Sequence, residues 1–303
     1  MIDPVTARTQ SVVLPPHFSA RDALGPRTLI VLALLTTVAI VIIMTFAAQL
    51  LPAITIVFPA LYLLSSIDRS ILMFKGIDSA ALVSVSDADA LATPDDELPI
   101  YTVLLPVYRE PTIVRSLLIG VGNLDYPAAK LEVLLLIEQD DDATVAALQG
   151  VSLDGIRVVV VPHSLPKTKP KACNYGMSLP GLRGEMLTIY DAEDIPEPLQ
   201  LRRAIVAFRR SPKDIGCLQA RLYYFNETQN LLTRWFAMEY DQWFGAILPA
   251  VEQAHCVVPL GGTSCHLRAQ VWRDIGGWDE YNVTEDADLG VRLARHGYRT
   301  LIL

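Results

Sequence analysis

The chain has 303 residues, of which 51% are apolar, and a formal net charge of −8. This length accommodates one large domain or two ordinary ones, and the negative charge argues against a nucleic-acid partner, because binding a phosphate backbone needs a basic surface. The four cysteines show no CxxC spacing, so we expect reduced and mostly buried thiols.

The excess of apolar residues lies near the N-terminus. Residues 1–27 are polar and rich in proline, and they predict a flexible cytosolic leader. Residues 28–67 carry no charge and, as helix, would be about twice as long as the ~30 Å hydrocarbon core of a bilayer. Pro52 supplies a break, so a hairpin of two transmembrane helices is predicted within residues 28–70.

Basic residues flank both ends of this hairpin, which places both ends and everything after residue 70 in the cytoplasm. The alternative, a cleaved signal peptide, would have a shorter and earlier apolar run. Residues 71–98 are rich in Ser, Ala and Asp, and they predict a linker.

From residue 99 onward, apolar strands alternate with helical patterns. Strands are predicted over residues 100–107, 131–139, 156–161, 185–191 and 215–224. Helices are predicted over residues 112–122, 143–148, 171–179 and 198–210. Such alternation is typical of a parallel sheet covered on both faces, which binds ligands along the rim formed by its strand C-terminal ends.

Acidic and aromatic side chains follow three of the predicted strands. The sequence LTIYDAEDIPEP, residues 187–198, ends one strand with Asp191, Glu193 and Asp194. Carboxylate oxygens suit Mg²⁺ or Mn²⁺, and a phosphate substrate would need such an ion beside an acidic cluster. The alternative interpretation is a solvated acidic loop that starts a helix at its prolines.

Lysines alternate in HSLPKTKPKACNYG, residues 163–176. Lys167, Lys169 and Lys171 lie between a strand and a helix, where free amides and ammonium groups both favour an anion such as phosphate. A solubilising loop would look the same.

Two later stretches allow more than one interpretation. Residues 230–254 space aromatic side chains as a helix does, which favours a core helix over one lying in a membrane interface. His266 is expected to be a structural hydrogen-bonding residue. Thr284 is expected to cap a helix that begins with Glu285 and Asp286, and acids at the positive end of a helix dipole need no other explanation.

Four motifs together resemble the membrane-bound family 2 glycosyltransferases, the group that includes cellulose, hyaluronan and poly-N-acetylglucosamine synthases. They are PVYREP at 106–111, KPKACNYG at 169–176, DAED at 191–194 and GGWDEYNVTEDADLGVRLARHGYRT from residue 276. The resemblance covers residues 99–303 and implies the GT-A fold, a mostly parallel α/β sheet with flanking helices. The family's QxxRW motif is not present before residue 303, so we expect a domain that is incomplete at its C-terminus.

The resemblance also implies residue roles. Asp286, with Glu285 beside it, corresponds to the catalytic base, and Asp191, Glu193 and Asp194 to the site for Mg²⁺ or Mn²⁺. Residues implied to bind the nucleotide are Pro106, Tyr108, Glu110, Glu138, Asp140, Lys171 and Asp191. Residues implied to border the acceptor are Gly262, Thr263 and Trp278. The family's second metal carboxylate is usually Asp, so the choice between Glu193 and Asp194 stays open.

The function implied is an inverting, metal-dependent transfer of sugar from a nucleotide-sugar donor, UDP-linked, to a saccharide or lipid-linked acceptor. It would take place at the cytoplasmic face of the inner (plasma) membrane, in exopolysaccharide or cell-envelope glycan synthesis, with polysaccharide-export partners. A catalytically silent nucleotide-sugar-binding subunit is the alternative. A sugar nucleotidyltransferase fits less well, because residues 106–110 lack its glycine-rich phosphate loop.

Overall fold

A computed structural model of the chain describes residues 14–22, 25–77, 79 and 81–303. The predicted leader therefore lies partly outside the described residues. Residues 16–18 and 20–22, which belong to it, form two short 3₁₀ turns.

The apolar N-terminal stretch forms one helical element, α1, Pro26–Gly76. It is the one helix in the described part of the chain that is long and apolar enough to span a membrane. Its backbone leaves helical angles at Phe46, with φ −121° and ψ 20°. The predicted break is therefore misplaced by six residues. Pro52 strains the helix only back to the carbonyl of residue 48, whereas the Thr45 hydroxyl, which donates to the Val41 carbonyl at 2.8 Å, favours a bend beside Phe46.

Both ends of α1 contact the same domain. An added Cβ at Gly76 would lie 1.7 Å from the Ala246 carbonyl oxygen, and just before α1 both Ser19 and Ala20 donate hydrogen bonds to Asp279. A straight helix of this length would measure about 76 Å, whereas a domain of this size has a radius of gyration of about 17 Å. The bend at Phe46 is consistent with both ends of α1 reaching the same domain. This geometry fits a hairpin with both ends on one side, and two membrane crossings stay a prediction.

The segment predicted to be a linker is part of the domain. Leu82 pairs with Ile302 beside the sheet, and helix α2, Asp87–Leu91, lies against a later helix through ion pairs of Asp87 and Asp89 with arginines. Four apolar side chains of the segment are buried: Ala81, Val85, Ala90 and Leu98. The linker prediction is wrong. The apolar residues that pack on the domain are interspersed among acids and serines, so the composition of the segment resembles that of a linker.

A seven-stranded sheet organises the domain, which confirms the α/β prediction. Its strands are β1 Tyr101–Val107, β2 Leu131–Glu138, β3 Ile156–Val161, β4 Met186–Ile189, β5 Ile215–Gln219, β6 Cys265–Arg268 and β7 Arg299–Ile302. The spatial order is β3-β2-β1-β4-β6-β5-β7. The first four are mutually parallel, β6 is antiparallel to both neighbours, and β7 is parallel to β5.

Helices cover both faces of the sheet. They are α3 Val114–Gly122, α4 Asp142–Ala147, α5 Lys169–Met177, α6 Gln200–Arg210, α7 Leu231–Gln242, α8 Leu248–Gln253, α9 Ala269–Asp274 and α10 Glu285–Arg295. A π-helical turn, Trp243–Ile247, joins α7 to α8. One core cluster packs α3 and α6 on the sheet, and a second packs α5, α9 and α10 on the opposite face.

Three short elements, β6, β7 and α9, have no counterpart in the sequence prediction. Each is four to six residues long, too short for a periodic pattern to be distinguished. The strand predicted to run to residue 224 ends at Gln219, because its partner β6 begins at Cys265, opposite that residue.

Candidate active site

The C-terminal ends of β1, β2 and β4 open onto one cavity, as the sheet topology requires. Its volume is about 230 Å³. The lining residues are Pro106, Val107, Tyr108, Glu110, Glu138, Lys167, Thr168, Lys169, Ala172, Asp191, Ala192 and Glu193. Five residues expected to bind nucleotide, Pro106, Tyr108, Glu110, Glu138 and Asp191, are therefore brought together.

The turn that presents Tyr108 is held by a buried carboxylate. Arg109 has a left-handed backbone, φ 60°, and its amide donates to Asp141 Oδ2 at 2.5 Å. Asp141 also caps α4 by accepting from the Thr144 amide at 3.1 Å. The loops after β1 and β2 are thereby tied together at the mouth of the cavity.

Lys169, the first residue of α5, is at the centre of the charged groups. Its Nζ lies 2.5 Å from Asp191 Oδ1, 2.7 Å from the Gly262 carbonyl oxygen and 3.9 Å from Glu285 Oε1. One ammonium group thus links the acidic strand end after β4 to the start of α10.

Asp286 lies on the other side of this ammonium. A Cβ placed on Gly262 would be 3.1 Å from Asp286 Oδ2 and 3.8 Å from Lys169 Nζ, so glycine is what lets these groups approach. The other carboxylate oxygen of Asp286 accepts from the Ala287 amide at 2.8 Å, which fixes its orientation. The two acidic motifs, about 95 residues apart in sequence, therefore face each other across one cleft.

Burial perturbs the charges in this cleft. It raises the pKa of Asp191 and the pKa of Glu285, and the Lys169 ammonium opposes both shifts. Burial acts to lower the pKa of Lys169, but Asp191 beside it leaves that pKa raised. The lysine therefore stays protonated and compensates acids that would otherwise repel one another.

Asp194 is held by hydrogen bonds to its own loop and to Thr263. Its Oδ2 accepts from the Asp191 amide at 2.6 Å and from the Thr263 hydroxyl, and burial raises the pKa of Asp194 to about 6. Glu193 is exposed and lines the cavity. Asp191 and Glu193 line both this cavity and a larger neighbouring one, whereas Asp194 and Thr263 line only the larger one, where the bond between them braces the loop.

A divalent ion would find a sparse ligand set here. Across the described residues, no three or more His, Cys, Asp or Glu side chains are gathered closely enough to hold a metal. The chemistry nevertheless fits Mg²⁺ or Mn²⁺, since such ions are commonly held by one or two carboxylates with substrate phosphate and water completing the shell. Asp191 and Glu193 supply that number.

Lys171 does not reach the cavity, which corrects the expectation that it contacts the nucleotide. It is buried, and its Nζ lies 2.7 and 2.8 Å from the two oxygens of Glu138. Asp140 pairs with Lys167 at 2.5 Å and does not line the cavity. Residues two apart on a helix point to different faces, so Lys169, which the expected set of site residues omits, takes the cleft position. The alternating lysines indicate a positively charged site in the sequence, and the residue at which α5 begins determines that Lys169 reaches the cleft.

The structure also differs from two further expectations, Trp278 on the acceptor side and Thr284 as the cap of α10. Trp278 is 3% exposed and packs against Trp272 with ring centroids 5.5 Å apart, so it belongs to the core. Thr284 stands at the N-cap position of α10, but its hydroxyl donates to Asn282 Oδ1 instead of capping the helix. Gly262 does lie at the cleft.

A larger cavity, about 1,090 Å³, adjoins the first one and shares Asp191 and Glu193 with it. Aromatic side chains line its far wall: Tyr223, Tyr224, Phe225 and Tyr240. The cleft is therefore continuous from the smaller cavity to a wider one that these aromatic side chains line.

Helix α7 does not bury its aromatic residues, which corrects the prediction of a core helix. Trp235 is 60% exposed, and Leu231, Leu232, Phe236 and Met238 are exposed with it, whereas the following turn and α8 bury Phe244, Ile247 and Leu248. Arg69 of α1 pairs with Glu239 of α7 at 3.5 Å, so the exposed apolar surface continues from one helix to the other.

His266 and the cysteines confirm their expected roles. The His266 ring is fully buried and its Nδ1 lies 2.6 Å from the Tyr101 hydroxyl. All four cysteines are free, and three of them are buried.

Comparison with known proteins gives matches throughout the same region. A sequence model of the family described as "Glycosyltransferase like family 2" matches residues 99–303. The Bacillus subtilis protein named "Probable glycosyltransferase YdaM" is 27% identical over 207 residues, 67% of this chain and 48% of that protein. A beta-monoglucosyldiacylglycerol synthase of Trichormus variabilis is 26% identical over 198 residues, 65% of this chain and 41% of that protein.

Among solved structures, a mannosyltransferase from Pyrobaculum calidifontis, in complex with GDP-Man and Mn²⁺, matches with a TM-score of 0.54 and 20% identity. The match covers 71% of this chain and 59% of that one, and it shows a shared fold. The chain spans less than half the length of the two curated relatives.

Proposed function

Because the chain belongs to the glycosyltransferase-like family 2, we propose that it is an inverting, metal-dependent glycosyltransferase. It moves a sugar from a nucleotide-sugar donor, UDP-linked, to a saccharide or lipid-linked acceptor at the cytoplasmic membrane face, in exopolysaccharide or cell-envelope glycan synthesis. The observation that carries this proposal is the approach of Asp286 to Lys169 and Asp191 across one cleft.

The smaller cavity holds the donor nucleotide. Tyr108 is 36% exposed at its mouth and offers a ring face for stacking, while Glu110 and Glu138 offer acceptors for base and ribose donors. Lys169 and Lys167 bring positive charge to the edge where the diphosphate would lie, which a cavity lined by carboxylates otherwise lacks.

Asp191 and Glu193 are the residues that would hold Mg²⁺ or Mn²⁺. When bound, such an ion stabilises the negative charge of the departing nucleotide diphosphate. Lys169 lies beside Asp191 and supports the same charge from the protein side.

Asp286 acts as the base that takes the proton from the attacking acceptor hydroxyl. Its Oδ1 is occupied by the Ala287 amide, and its Oδ2 faces the cleft at Gly262, so one oxygen is available for the proton. Glu285 lies toward Lys169 and compensates that ammonium rather than contacting the acceptor.

The larger cavity receives the acceptor. It begins at Asp191 and Glu193 and extends along the aromatic side chains after β5, which offer flat apolar faces for sugar rings or a lipid chain. A donor in one cavity and an acceptor in the other would meet at the acids the two cavities share.

The exposed apolar surface of α1 and α7 supports a position of the domain against a lipid bilayer. An apolar helix of this length and a neighbouring helix that exposes Trp and Phe suit the membrane core and its interface, respectively. Flotation with lipid vesicles should recover the full chain in the lipid fraction. Recovery of the chain only in the aqueous fraction would contradict the membrane assignment.

The decisive experiment replaces the base. Asp286→Asn should lower sugar transfer by roughly 10²–10⁴-fold, because the amide cannot take the acceptor proton, while the affinity for the nucleotide sugar stays unchanged. The matched control is Asp154→Asn, the same change in an exposed loop remote from the cleft.

The outcomes distinguish the two hypotheses. Unchanged turnover in Asp286→Asn would overturn the base assignment. If the wild-type chain binds a nucleotide sugar but neither transfers nor hydrolyses it with Mn²⁺ present, the silent binding subunit would be correct instead.

A further inference from the structure

The segment that precedes α1 docks beside the candidate active site. Ser19 Oγ donates to Asp279 Oδ1 at 3.0 Å, and the Ala20 amide donates to Asp279 Oδ2 at 2.6 Å. Leu14 lies against Gly276, where an added Cβ would be 2.8 Å from Leu14 Cδ2. These contacts join parts of the chain about 260 residues apart.

Ring contacts extend the same docking. The Arg21 guanidinium lies 5.4 Å from the centre of the Tyr281 ring. Phe18 lies 6.3 Å from the His296 ring, and the Arg295 guanidinium lies 5.4 Å from the centre of the Phe18 ring. The segment therefore contacts both the loop of residues 276–282 and the C-terminal end of α10.

Asp279 accepts the hydrogen bonds that this segment donates. Asp279 is 2% exposed, and among the described residues its carboxylate accepts hydrogen bonds from Ser19, Ala20 and the Tyr281 amide. Two of these three donors belong to the N-terminal segment. A carboxylate so enclosed depends on such donors, since burial without them is costly.

The loop of residues 276–282, which contains Asp279, links α5 and α10, the two helices whose first residues border the cleft. On the α5 side, Asn174 binds both the amide and the carbonyl of Trp278, at 3.0 and 2.9 Å, and Thr168 donates to the Glu280 carbonyl. On the α10 side, Arg292 donates to the Ile275 carbonyl at 2.9 Å. The loop is held from inside by these bonds and from outside by the N-terminal segment.

We propose that Asp279 is a positioning residue for the sugar-transfer reaction and that residues 14–22 form a strap that it holds. The strap closes the outer side of the loop and so fixes the start of α10, which presents Asp286. The kinetic part of this proposal rests on the proposed function, and the docking part does not.

The test removes the two strap donors in the full chain. Ser19→Ala deletes the hydroxyl, and Ala20→Pro deletes the amide hydrogen at the first position of a 3₁₀ turn, where proline is accepted. The matched control is Ser152→Ala, which removes another hydroxyl-to-carboxylate bond, from Ser152 to Asp154 at 2.7 Å, in an exposed loop.

Hydrogen exchange of the amides of residues 278–286 should become about 5- to 10-fold faster in the double variant, as expected for losing one or two net hydrogen bonds. The kcat should fall about fivefold with the KM for the donor unchanged, because the pocket for the nucleotide is not touched. The control should change neither quantity.

Unchanged exchange in the double variant would overturn the strap, and faster exchange with unchanged kcat would overturn the positioning role. A wild-type chain that transfers no sugar would contradict the proposed function. In that case, the exchange measurement alone would still decide whether residues 14–22 dock on Asp279.

Discussion

Two polar regions of this domain contain the same residue types but differ in how those residues are paired. In the interior, the Lys171 ammonium lies within 2.8 Å of both oxygens of Glu138, with the Ser164 carbonyl at 3.4 Å. The Tyr101 hydroxyl lies 2.6 Å from His266 Nδ1, and each pair is buried and closed to solvent. At the cleft, Lys169 is shared among Asp191, the Gly262 carbonyl and Glu285, and its side chain is 26% exposed. The ammonium of the buried pair is held away from the cavity, whereas a cation shared among several acceptors at the cleft can exchange partners.

The largest effect expected from this difference is on stability, at the closed pair. Lys171→Met should lower the free energy of unfolding by about 3–5 kcal/mol, because it leaves the buried Glu138 carboxylate without its cation. Denaturant unfolding of the full chain measures this loss.

Adding Glu138→Gln to Lys171→Met should restore part of the stability, since no unpaired charge then remains buried. A single variant as stable as the wild type would show that the pair is not closed, and the comparison would fail.

The same substitution at the cleft should act on activity instead. Lys169→Met should lower the rate of sugar transfer roughly 10²-fold, because the positive charge beside the donor diphosphate is lost. Its effect on the free energy of unfolding should be smaller than that of Lys171→Met, because Asp191 and Glu285 are less buried than Glu138 and can bind protons when the cation is lost. Initial rates and unfolding curves, measured on both lysine variants, compare the loss of activity with the loss of stability at each position. Equal losses of stability in the two variants would contradict this expectation.

A smaller effect concerns pH. Burial lowers the pKa of His266 to about 3, whereas an unfolded histidine titrates near 6.5. The neutral ring therefore stabilises the fold fully above about pH 6.5, and this contribution is lost as the pH falls below that value, by up to about 1.4 kcal/mol per pH unit. Between pH 7 and pH 5, the wild type should lose about 1–2 kcal/mol that a His266→Gln variant keeps.

The exposed His163 supplies the control for this pH effect, since His163→Gln makes the same change outside the core. Parallel stability curves for wild type and His266→Gln between pH 7 and pH 5 would show that the ring is not held neutral.

The sequence predicts the first part of the domain well. The first four strands are long or strongly apolar, and their alternation with helices is enough to place Tyr108, Glu138 and Asp191 on one rim. The approach of Asp286 to that rim is implied by the resemblance alone, because it depends on β6 and on the left-handed backbone of Gly262, φ 78°, which no periodic pattern predicts.

Other features depend on contacts that sequence patterns do not contain. Lys169 and Lys171 are distinguished only by where α5 begins, and one oxygen of Asp194 is occupied by a bond with Thr263, which lies 69 residues later. The exposed face of α7 has the same aromatic spacing as a core helix, because helical periodicity shows which residues share a face and not what covers it.

The bend at Phe46 has a mechanical consequence. A domain joined to one end of a long helix could rotate about that single contact, whereas this domain contacts both ends of α1, through Gly76 with Ala246 and through Ser19 and Ala20 with Asp279. Contacts at both ends of one bent helix remove that rotational freedom. Under the proposed membrane position, the height and orientation of the cleft above the lipid surface follow from the lengths of the two arms of α1.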